Sequence, residues 1–356
     1  MNKMTPEAIR HALNEVRAGR LADATALIQS TLSRHLPGVG DPLAGCRAKP
    51  DVPSGSRRSA LSDTNFGAFQ GRTGARPARP ARLRFTCAAG SREYVLHVPE
   101  NAPTPPRGLV LMLHGCTQTP EDFAIGTGMN AQADAAGLFV VYAAQSRGDN
   151  AQSCWNWFSG ADQHRDRGEP AILAGLAREV AARHGVPPGA IFVAGLSAGA
   201  AMAVILGRTY PEVFAGVGAH SGLPYGSARG VTEAFAAMAG QEGGTRAVPP
   251  EMPVPTIVFH GASDATVAPV NGMRITADAL ATCGQITEIV ENGRTAGRAF
   301  HRTTNLGPKG KVRAEHWRID GLGHAWSGGD AKGSYADAKG PNASAEMVRF
   351  FMSLAT

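Results

Sequence analysis

The sequence predicts an α/β fold built on a mostly parallel sheet with helices on both faces. From Ala81 onward, short apolar segments of strand length alternate with helical segments, the order that places helices between parallel strands. The chain of 356 residues, with 43% apolar and 18% charged side chains, is also long and apolar enough to bury a large core. We therefore predict one α/β domain over residues 81–356.

The predicted strands are short apolar runs bounded by glycine, proline or polar residues. In chain order they are Tyr94–Val98, Gly108–Leu113, Leu138–Ala143, Ala190–Ala194, Ala215–Ala219, Thr256–His260 and Val312–Asp320. The predicted helices lie between and after them, at Gly128–Ala136, Ala171–His184, Ala198–Tyr210, Met273–Thr282 and Ser344–Leu354.

The sequence pattern of residues 1–32 predicts a small helical hairpin that precedes this domain. Thr5 is placed to cap the first helix, with Pro6 in the first turn and Glu7 near the positive end of the helix dipole. Apolar residues then recur at helical spacing, and a second such run begins at Leu21. The hairpin has one apolar face, which either packs on the main domain or on another copy of the chain, or serves as a targeting module.

Residues 33–80 form a basic segment rich in proline and glycine. Its six prolines, seven glycines and few aliphatic residues cannot bury enough apolar area to offset conformational entropy, which predicts a flexible, disordered linker. Eight Lys or Arg against three Asp give this segment most of the formal charge of +6. The remaining chain is nearly neutral and has no basic face interleaved with aromatic residues, so no nucleic-acid partner is predicted.

Neither a membrane span nor a metal site is predicted. No apolar run reaches the roughly 18–20 residues that span a bilayer, and the N-terminal sequence lacks the uncharged core of a secretory signal. These features predict a cytoplasmic protein. The five cysteines form no CxxC pair and no metal-ligand spacing, although a single local bridge between Cys116 and Cys154 stays open.

The most specific motif is Gly195-Leu196-Ser197-Ala198-Gly199. It follows an apolar strand and opens an alanine-rich helix, and this strand–turn–helix context predicts a nucleophile elbow that exposes the Ser197 hydroxyl at the edge of the sheet. The flanking glycines are needed because a Cβ there would collide with the neighbouring strand and helix. The alternative interpretation is a glycine-rich strand end with a surface serine.

A serine nucleophile needs a base, and the base needs an acid that orients it. Asp264 follows the strand Thr256–His260, and His324 follows the strand Val312–Asp320 in a glycine-flanked loop. The order serine, acid, histidine is the one that the nucleophile elbow predicts. We therefore predict that Ser197, Asp264 and His324 are catalytic. The alternatives are the rival acids Asp278 and Asp320 and the strand histidines His301 and His316.

The oxyanion of an acyl-transfer intermediate needs two backbone N–H donors. Ala198 directly follows the nucleophile, and Cys116 lies in the loop after the strand Gly108–Leu113. We predict that the backbone amides of these two residues form the oxyanion hole. The rival interpretation makes Cys116 a thiol nucleophile.

Aromatic residues are concentrated near the same predicted edge. Trp155 and Trp157 lie in the loop after the strand Leu138–Ala143, and Trp326 lies two residues beyond the candidate base. Together with His114 they are predicted to line an apolar substrate site. The alternative is that at least one of these tryptophans belongs to the core.

Six motifs occur in a fixed order along the α/β domain, from about Leu83 to Leu354. They are His114-Gly-Cys-Thr-Gln118, Cys154-Trp-Asn-Trp157, Gly195-Leu-Ser-Ala-Gly199 with Met202, Tyr210-Pro211, Phe259-His-Gly261 with Asp264, and Gly323-His-Ala-Trp-Ser-Gly-Gly329. This set resembles the poly(3-hydroxybutyrate) depolymerase family of esterases, whose relatives include feruloyl and acetylxylan esterases. The resemblance implies an α/β-hydrolase fold and a serine esterase that needs no cofactor and works through an acyl-serine intermediate.

The resemblance also implies a substrate class and a second possible location. The expected substrate is a short-chain polyhydroxyalkanoate, as polymer or oligomer, and the alternative is a feruloyl, acetylxylan or other short-chain ester. A non-catalytic granule-binding protein that keeps the fold is a third possibility. Because members of the family are commonly secreted, an extracellular location stands beside the cytoplasmic one.

Overall fold

A ten-stranded, mostly parallel sheet forms the centre of the protein. The computed structural model describes residues 81–100, 103–241 and 252–355, so the predicted hairpin 1–32 and linker 33–80 lie outside the described residues. The strands are β1 (Arg82–Cys87), β2 (Gly90–His97), β3 (Gly108–Leu113), β4 (Leu138–Ala143), β5 (Ile191–Leu196), β6 (Gly216–His220), β7 (Thr256–Gly261), β8 (Thr287–Thr295), β9 (Arg298–Leu306), β10 (Val312–Ile319), β11 (Trp326–Ser327) and β12 (Ala336–Asp337).

The order of strands across the large sheet is β1-β2-β4-β3-β5-β6-β7-β10-β9-β8. The six central strands, β4 to β10 in that order, are parallel, whereas β1 and β2 at one end and β9 and β8 at the other are antiparallel. β11 and β12 form a separate two-stranded pair. The predicted parallel sheet is therefore confirmed, and β1, β8 and β9 extend it with strands that the sequence did not predict.

Helices cover both faces of the sheet, as predicted. They are α1 (Pro120–Thr127), α2 (Met129–Ala136), α3 (Gly168–His184), α4 (Ala198–Thr209), α5 (Val231–Met238), α6 (Val270–Leu280) and α7 (Ala343–Leu354). Helices α1 and α5 were not predicted. The N-terminus of α1 carries ordinary start signals, because the side chain of Thr119 accepts a hydrogen bond from the Asp122 amide and Pro120 occupies the first turn.

Strand β3 shows how the two faces are filled. All six of its residues are buried, and successive side chains point to opposite faces of the sheet. Leu109, Leu111 and Leu113 belong to the apolar cluster that includes α3 and α4. Val110 and Met112 belong to the other cluster, which includes α2 and α7. The apolar run in the sequence therefore lacks alternation because both faces of this strand are covered.

The parallel strands bring four candidate residues and His220 to one edge of the sheet. His114 follows β3, Ser197 follows β5, and His220 is the last residue of β6. Asp264 and His324 lie in the loops after β7 and β10. Because the carboxyl ends of parallel strands share an edge, sites in such sheets form there. Within the described ranges, no helix has the length and apolar character that crossing a bilayer requires.

Candidate active site

Ser197 stands at a strained turn between β5 and α4. Its backbone has φ 57° and ψ −119°, a conformation that non-glycine residues rarely adopt and that is concentrated at functional sites. The Ser197 amide donates to the carbonyl oxygen of His220 at 2.9 Å. A Cβ on Gly199 would lie 2.0 Å from the Leu113 oxygen, and one on Gly195 would lie 2.4 Å from the Gly199 backbone. Only glycine fits at both positions, and because neither residue carries a Cβ, the turn packs directly against β3.

The loop after β3 lies directly beside this serine. A Cβ placed on Gly115 would stand 3.7 Å from the Cβ of Ser197. Ala198 is the first residue of α4, so its amide is among the N–H groups that a helix leaves without an internal acceptor. No hydrogen bond among the described residues engages the Cys116 amide. Within the described residues, neither of the two predicted oxyanion amides donates a hydrogen bond to a protein acceptor.

His114 anchors this loop from within the core. The ring Nδ1–H donates to the Gly115 oxygen at 2.8 Å, and Nε2 accepts from the Gln145 amide at 3.1 Å. Burial lowers the pKa of His114 to about 4, so the ring is neutral near pH 7. Only 1% of His114 is exposed, so the structure places the side chain inside the domain and not at the surface of the predicted substrate site. The residue supports the backbone of the loop instead.

A disulfide between Cys116 and Cys154 fixes the other side of the loop. Their Cα atoms are 4.2 Å apart, and the Thr117 amide donates to the Gln152 oxygen at 2.7 Å. The disulfide leaves Cys116 without a free thiol, which removes the rival interpretation of Cys116 as a nucleophile. It also ties the candidate oxyanion loop covalently to the segment after β4.

Asp264 and His324 are joined by a hydrogen bond. The Nδ1–H of His324 donates to Oδ2 of Asp264 at 2.8 Å. The other carboxylate oxygen, Oδ1, accepts from the amides of Thr266 and Val267, each at 2.9 Å. The Asp264 side chain is fully buried, whereas 12% of the His324 side chain is exposed. This arrangement fixes the tautomer of His324 with Nε2 free to accept a proton.

The electrostatics of this pair keep the carboxylate charged. Burial opposes the charged form of Asp264, but the charge and hydrogen bond of His324 outweigh burial, and the pKa of Asp264 falls to about 2. His260 Nε2 lies 3.6 Å from the same Oδ2 atom and donates to the Val267 oxygen at 2.9 Å. A permanently charged acid can stabilise an imidazolium that forms during a reaction.

The acid loop and the base loop pack backbone against backbone. The Ala262 amide donates to the Ile319 oxygen at 2.8 Å, and the Ser263 amide donates to the Leu322 oxygen at 3.0 Å. A Cβ on Gly261 would lie 2.3 Å from that Leu322 oxygen. Glycine at 261 therefore permits the approach that brings Asp264 and His324 together.

His220 links the Ser197 turn to the segment that follows His324, although no role was predicted for it from the sequence. Its carbonyl accepts from Ser197, and its ring Nε2 accepts from the Ser327 amide at 3.0 Å. The ring stacks on Trp326, with centroids 5.1 Å apart. Burial lowers the pKa of His220 to about 3, so this ring stays neutral. Its position at the end of β6 was the available signal, because that strand ends at the same sheet edge.

The three tryptophans predicted to contact substrate are buried in the core. Trp155 is 0% exposed and Trp326 is 1% exposed. The Trp155 indole N–H donates to the His114 oxygen at 3.0 Å, and that of Trp326 donates to Ser344 Oγ at 3.1 Å. Trp157 is 6% exposed and packs in the cluster of α3 and α4. The indoles of Trp155 and Trp326 find hydrogen-bond partners inside the domain, and all three side chains pack in the core.

The rival candidates lie elsewhere. Asp320 contacts His301 and Arg318 at 3.8 Å each, with all three side chains substantially exposed. Asp278 lies within α6. Burial lowers the pKa of His316 to about 4. Among the described residues, no group of three or more His, Cys, Asp or Glu side chains is arranged to hold a metal ion.

Comparison with known proteins gives the family. The esterase PHB depolymerase family model matches residues 92–302. The chain is 33% identical over 251 residues to poly(3-hydroxyalkanoate) depolymerase C of Paucimonas lemoignei, covering 67% of this chain and 60% of that protein. It is 31% identical over 264 residues to poly(3-hydroxybutyrate) depolymerase of Ralstonia pickettii, covering 67% of this chain and 53% of that one. The chain thus spans between half and two thirds of these relatives.

A solved structure gives the same fold. An acetyl xylan esterase from Aspergillus awamori superposes with a TM-score of 0.53 at 19% identity, covering 68% of this chain and 94% of that one. At this identity the similarity concerns the fold alone, and it agrees with the α/β-hydrolase arrangement of sheet, elbow and loops described above. The chain belongs to the esterase PHB depolymerase family.

Proposed function

We propose that this protein is a serine carboxylic ester hydrolase with Ser197 as nucleophile, His324 as base and Asp264 as orienting acid. The observation that carries the proposal is the hydrogen bond from His324 Nδ1–H to the buried Asp264 carboxylate, in loops at the sheet edge that also bears the strained Ser197. The same three residue types in the same order define the serine hydrolases of this fold.

The chemistry follows from the protonation states of the site. His324 accepts the Ser197 hydroxyl proton on Nε2 as the oxygen attacks the ester carbonyl, and the amides of Ala198 and Cys116 hold the resulting oxyanion. Collapse of the tetrahedral intermediate breaks the bond to the alcohol, which leaves with the proton from His324. Water then attacks the acyl-serine with His324 again as base, and the carboxylic acid is released. No cofactor takes part in these steps.

As substrate we propose a short-chain polyhydroxyalkanoate, in polymer or oligomer form. The support is that both depolymerase relatives align over 67% of this chain. The second candidate is an acetylxylan- or feruloyl-type ester, which is supported by 30% identity over 139 residues to probable acetylxylan esterase A of Aspergillus fumigatus, covering 39% of this chain and 36% of that one. Both candidates would use the same catalytic residues and differ in the substrate-binding surface.

The deciding experiment measures kcat/KM of the purified protein on 3-hydroxybutyrate oligomers, acetylated xylan, feruloylated sugars and p-nitrophenyl acyl esters. We expect the highest value on the oligomers, and a loss of more than about a thousandfold in Ser197→Ala on every ester. Higher values on the sugar esters would favour the second candidate. Failure of the wild type to react with a fluorophosphonate probe, together with binding to polymer granules, would favour the non-catalytic alternative.

The disulfide bears on where the protein works. Disulfides persist in oxidising environments and are rare in the cytoplasm, so the Cys116–Cys154 bridge supports an extracytoplasmic location over the cytoplasmic one. Thiol labelling of protein denatured directly from its native compartment tests this proposal. We expect Cys116 and Cys154 to stay unlabelled until a reductant is added, and labelling of both without reductant would contradict it.

A further inference from the structure

Tyr335 is an exposed aromatic residue beside the candidate base. Its ring centroid lies 6.4 Å from that of His324, with the two rings nearly perpendicular. The side chain is 46% exposed, and among the described residues it is the aromatic member of the exposed large hydrophobic set. The three tryptophans that the sequence suggested for substrate contact are buried. Tyr335 therefore offers the apolar surface at this edge that those tryptophans do not.

The backbone holds Tyr335 in a fixed and strained conformation. Its φ is 50°, in the left-handed region that costs a bulky residue free energy and that tends to persist at functional sites. Its carbonyl accepts from the Trp326 amide at 2.7 Å, and the next residue, Ala336, pairs with Trp326 in the β11–β12 ladder. The backbone of Tyr335 is thus held by the same short strand that follows His324.

The residues before Tyr335 are clamped to α1. A Cβ on Gly333 would lie 2.4 Å from Gly126, so the two backbones touch. The amide of Ser334 donates to Oδ1 of Asp122 at 2.9 Å. These contacts anchor the segment before Tyr335 to α1.

Gln118 connects this loop to the candidate oxyanion loop. Its side-chain Nε2–H donates to the Ser334 oxygen at 2.9 Å, and its Oε1 accepts from the Gly115 amide at 2.9 Å. One buried side chain therefore joins the loop that carries Tyr335 to the loop that carries the candidate oxyanion amide of Cys116.

From this placement we infer that Tyr335 forms the wall that contacts the alcohol portion of the ester, on the leaving-group side of the scissile bond. This inference rests on the proposed function. The reasoning is chemical, because His324 must hand its proton to the departing alcohol, so a surface beside the imidazole borders that alcohol. The carbonyl oxygen points instead to the amides of Cys116 and Ala198. In a hydroxyalkanoate chain, the alcohol portion is the next monomer, whose methyl and methylene groups suit an aromatic face.

The test varies the two sides of the ester separately. One series keeps a 3-hydroxybutyryl acyl group and changes the alcohol from methanol to one or two further hydroxybutyrate units; the other keeps methanol and lengthens the acyl chain. Tyr335→Asn removes the ring with a residue that tolerates positive φ, and Tyr335→Phe keeps the ring. Lys332→Asn, in the same loop with a side chain 84% exposed, is the matched surface control.

For Tyr335→Asn we expect the ratio of kcat/KM for the oligomer to kcat/KM for its methyl ester to fall about tenfold. The fall should appear mainly in KM, and the dependence on acyl length should stay that of the wild type. Tyr335→Phe and Lys332→Asn should keep the wild-type ratio. The pH profile of kcat should also be unchanged, whereas a residue that merely positions His324 would shift it.

Three results would overturn the inference: an equal loss on every ester, a change confined to the acyl series, or no change in either series. Failure of the proposed function is separately visible, since the wild type would then hydrolyse none of these esters or Ser197→Ala would retain activity. Thermal unfolding of each variant identifies any that does not fold. If Tyr335→Asn does not fold, the ratio measured for Tyr335→Gly decides, because glycine also lacks the ring and tolerates positive φ; the expected fall and the overturning results are the same.

Discussion

The two halves of the candidate site are held in place by different kinds of contact. The nucleophile half, Ser197 with the loop Gly115–Gln118, is fixed by backbone contacts at glycines and by a disulfide. The relay half, Asp264 with His324, adds a side-chain hydrogen bond to the backbone contacts between its two loops, and a Cβ on Gly323 beside the base would meet nothing within 4 Å. Oxyanion donors act through backbone geometry, whereas a proton relay acts through side chains. Each half is therefore rigid in the part that its proposed chemistry uses.

The largest effect is expected in the relay half, from Asp264→Asn. The amide keeps the shape of the carboxylate but cannot hold His324 in the required tautomer or stabilise its charged form, so kcat should fall by about three to four orders of magnitude. The measurement is hydrolysis of p-nitrophenyl butyrate, with circular dichroism to check folding. A fall of less than tenfold in a folded variant would show that Asp264 is not the orienting acid.

Alanine in place of one glycine on each side compares the halves directly. Gly199→Ala places a Cβ 2.0 Å from a backbone oxygen, and the strain should lower the free energy of unfolding by roughly 3 kcal/mol or more. Gly323→Ala enters open space and should change the free energy of unfolding by less than about 1 kcal/mol. Urea denaturation of both variants measures these values. Equal destabilisation would remove the distinction between the two halves.

Loss of the disulfide should weaken the nucleophile half by a smaller amount. The bridge spans a sequence separation of 38 residues, and its removal in Cys154→Ser should cost about 2–4 kcal/mol of unfolding free energy. Because the candidate oxyanion amide belongs to Cys116, kcat should fall more than KM rises. Cys283→Ser, at a free cysteine, is the control. The same loss of kcat in Cys283→Ser would show that the loss does not depend on the Cys116–Cys154 bridge.

Mild acid should have the smallest effect and act through buried histidines, which include His114 and His220 on the nucleophile side and His316 on the strand before the base loop. The pKa of His114 is lowered to about 4 and that of His220 to about 3, both by burial. Below the ordinary pKa of 6.5, the unfolded chain binds protons that the folded chain does not, so stability falls as pH falls from about 6.5 toward 4. The loss by pH 5.5 is about 1 kcal/mol per histidine.

Urea midpoints at pH 7.5 and 5.5 measure this loss. His114→Gln keeps a donor and an acceptor but does not titrate, so its midpoint should shift less between the two pH values than that of the wild type. An equal shift in the two proteins would contradict a neutral, buried His114.

The elements that the sequence predicted well are those with strong local signals. Strands β3 and β4 were predicted with their observed ends because every residue in them is apolar and buried. Asp264 and His324 were identified because each closely follows a strand in a glycine-containing turn. The two side chains are joined by a hydrogen bond, and the order of the motifs had predicted Asp264 as the orienting acid and His324 as the base.

The features that were missed depend on partners distant in sequence. Composition gives no direction for an indole ring, and Trp155 is buried because its N–H meets a carbonyl 41 residues away. Tyr335 follows no apolar strand, and its position depends on the docking of Ser334 against Asp122, 212 residues earlier in the chain. Strands β8 and β9 carry many charged and polar residues, and β8 is mostly exposed, so neither has the apolar run that marked the central strands.

The double attachment of His220 sets a rule for engineering this scaffold. Its carbonyl oxygen accepts a hydrogen bond from the Ser197 amide, and its ring Nε2 accepts one from the Ser327 amide. If residues 321–327 are replaced with a segment from another esterase, the new segment must keep the backbone N–H that binds Nε2. Otherwise this buried nitrogen loses its hydrogen-bond donor. The side chain of Tyr335 is exposed, so this position can be varied to seek new ester specificities, whereas Gly333 and Ser334 before it are held against α1. Libraries built on this chain should therefore diversify that wall and leave residue 220 unaltered.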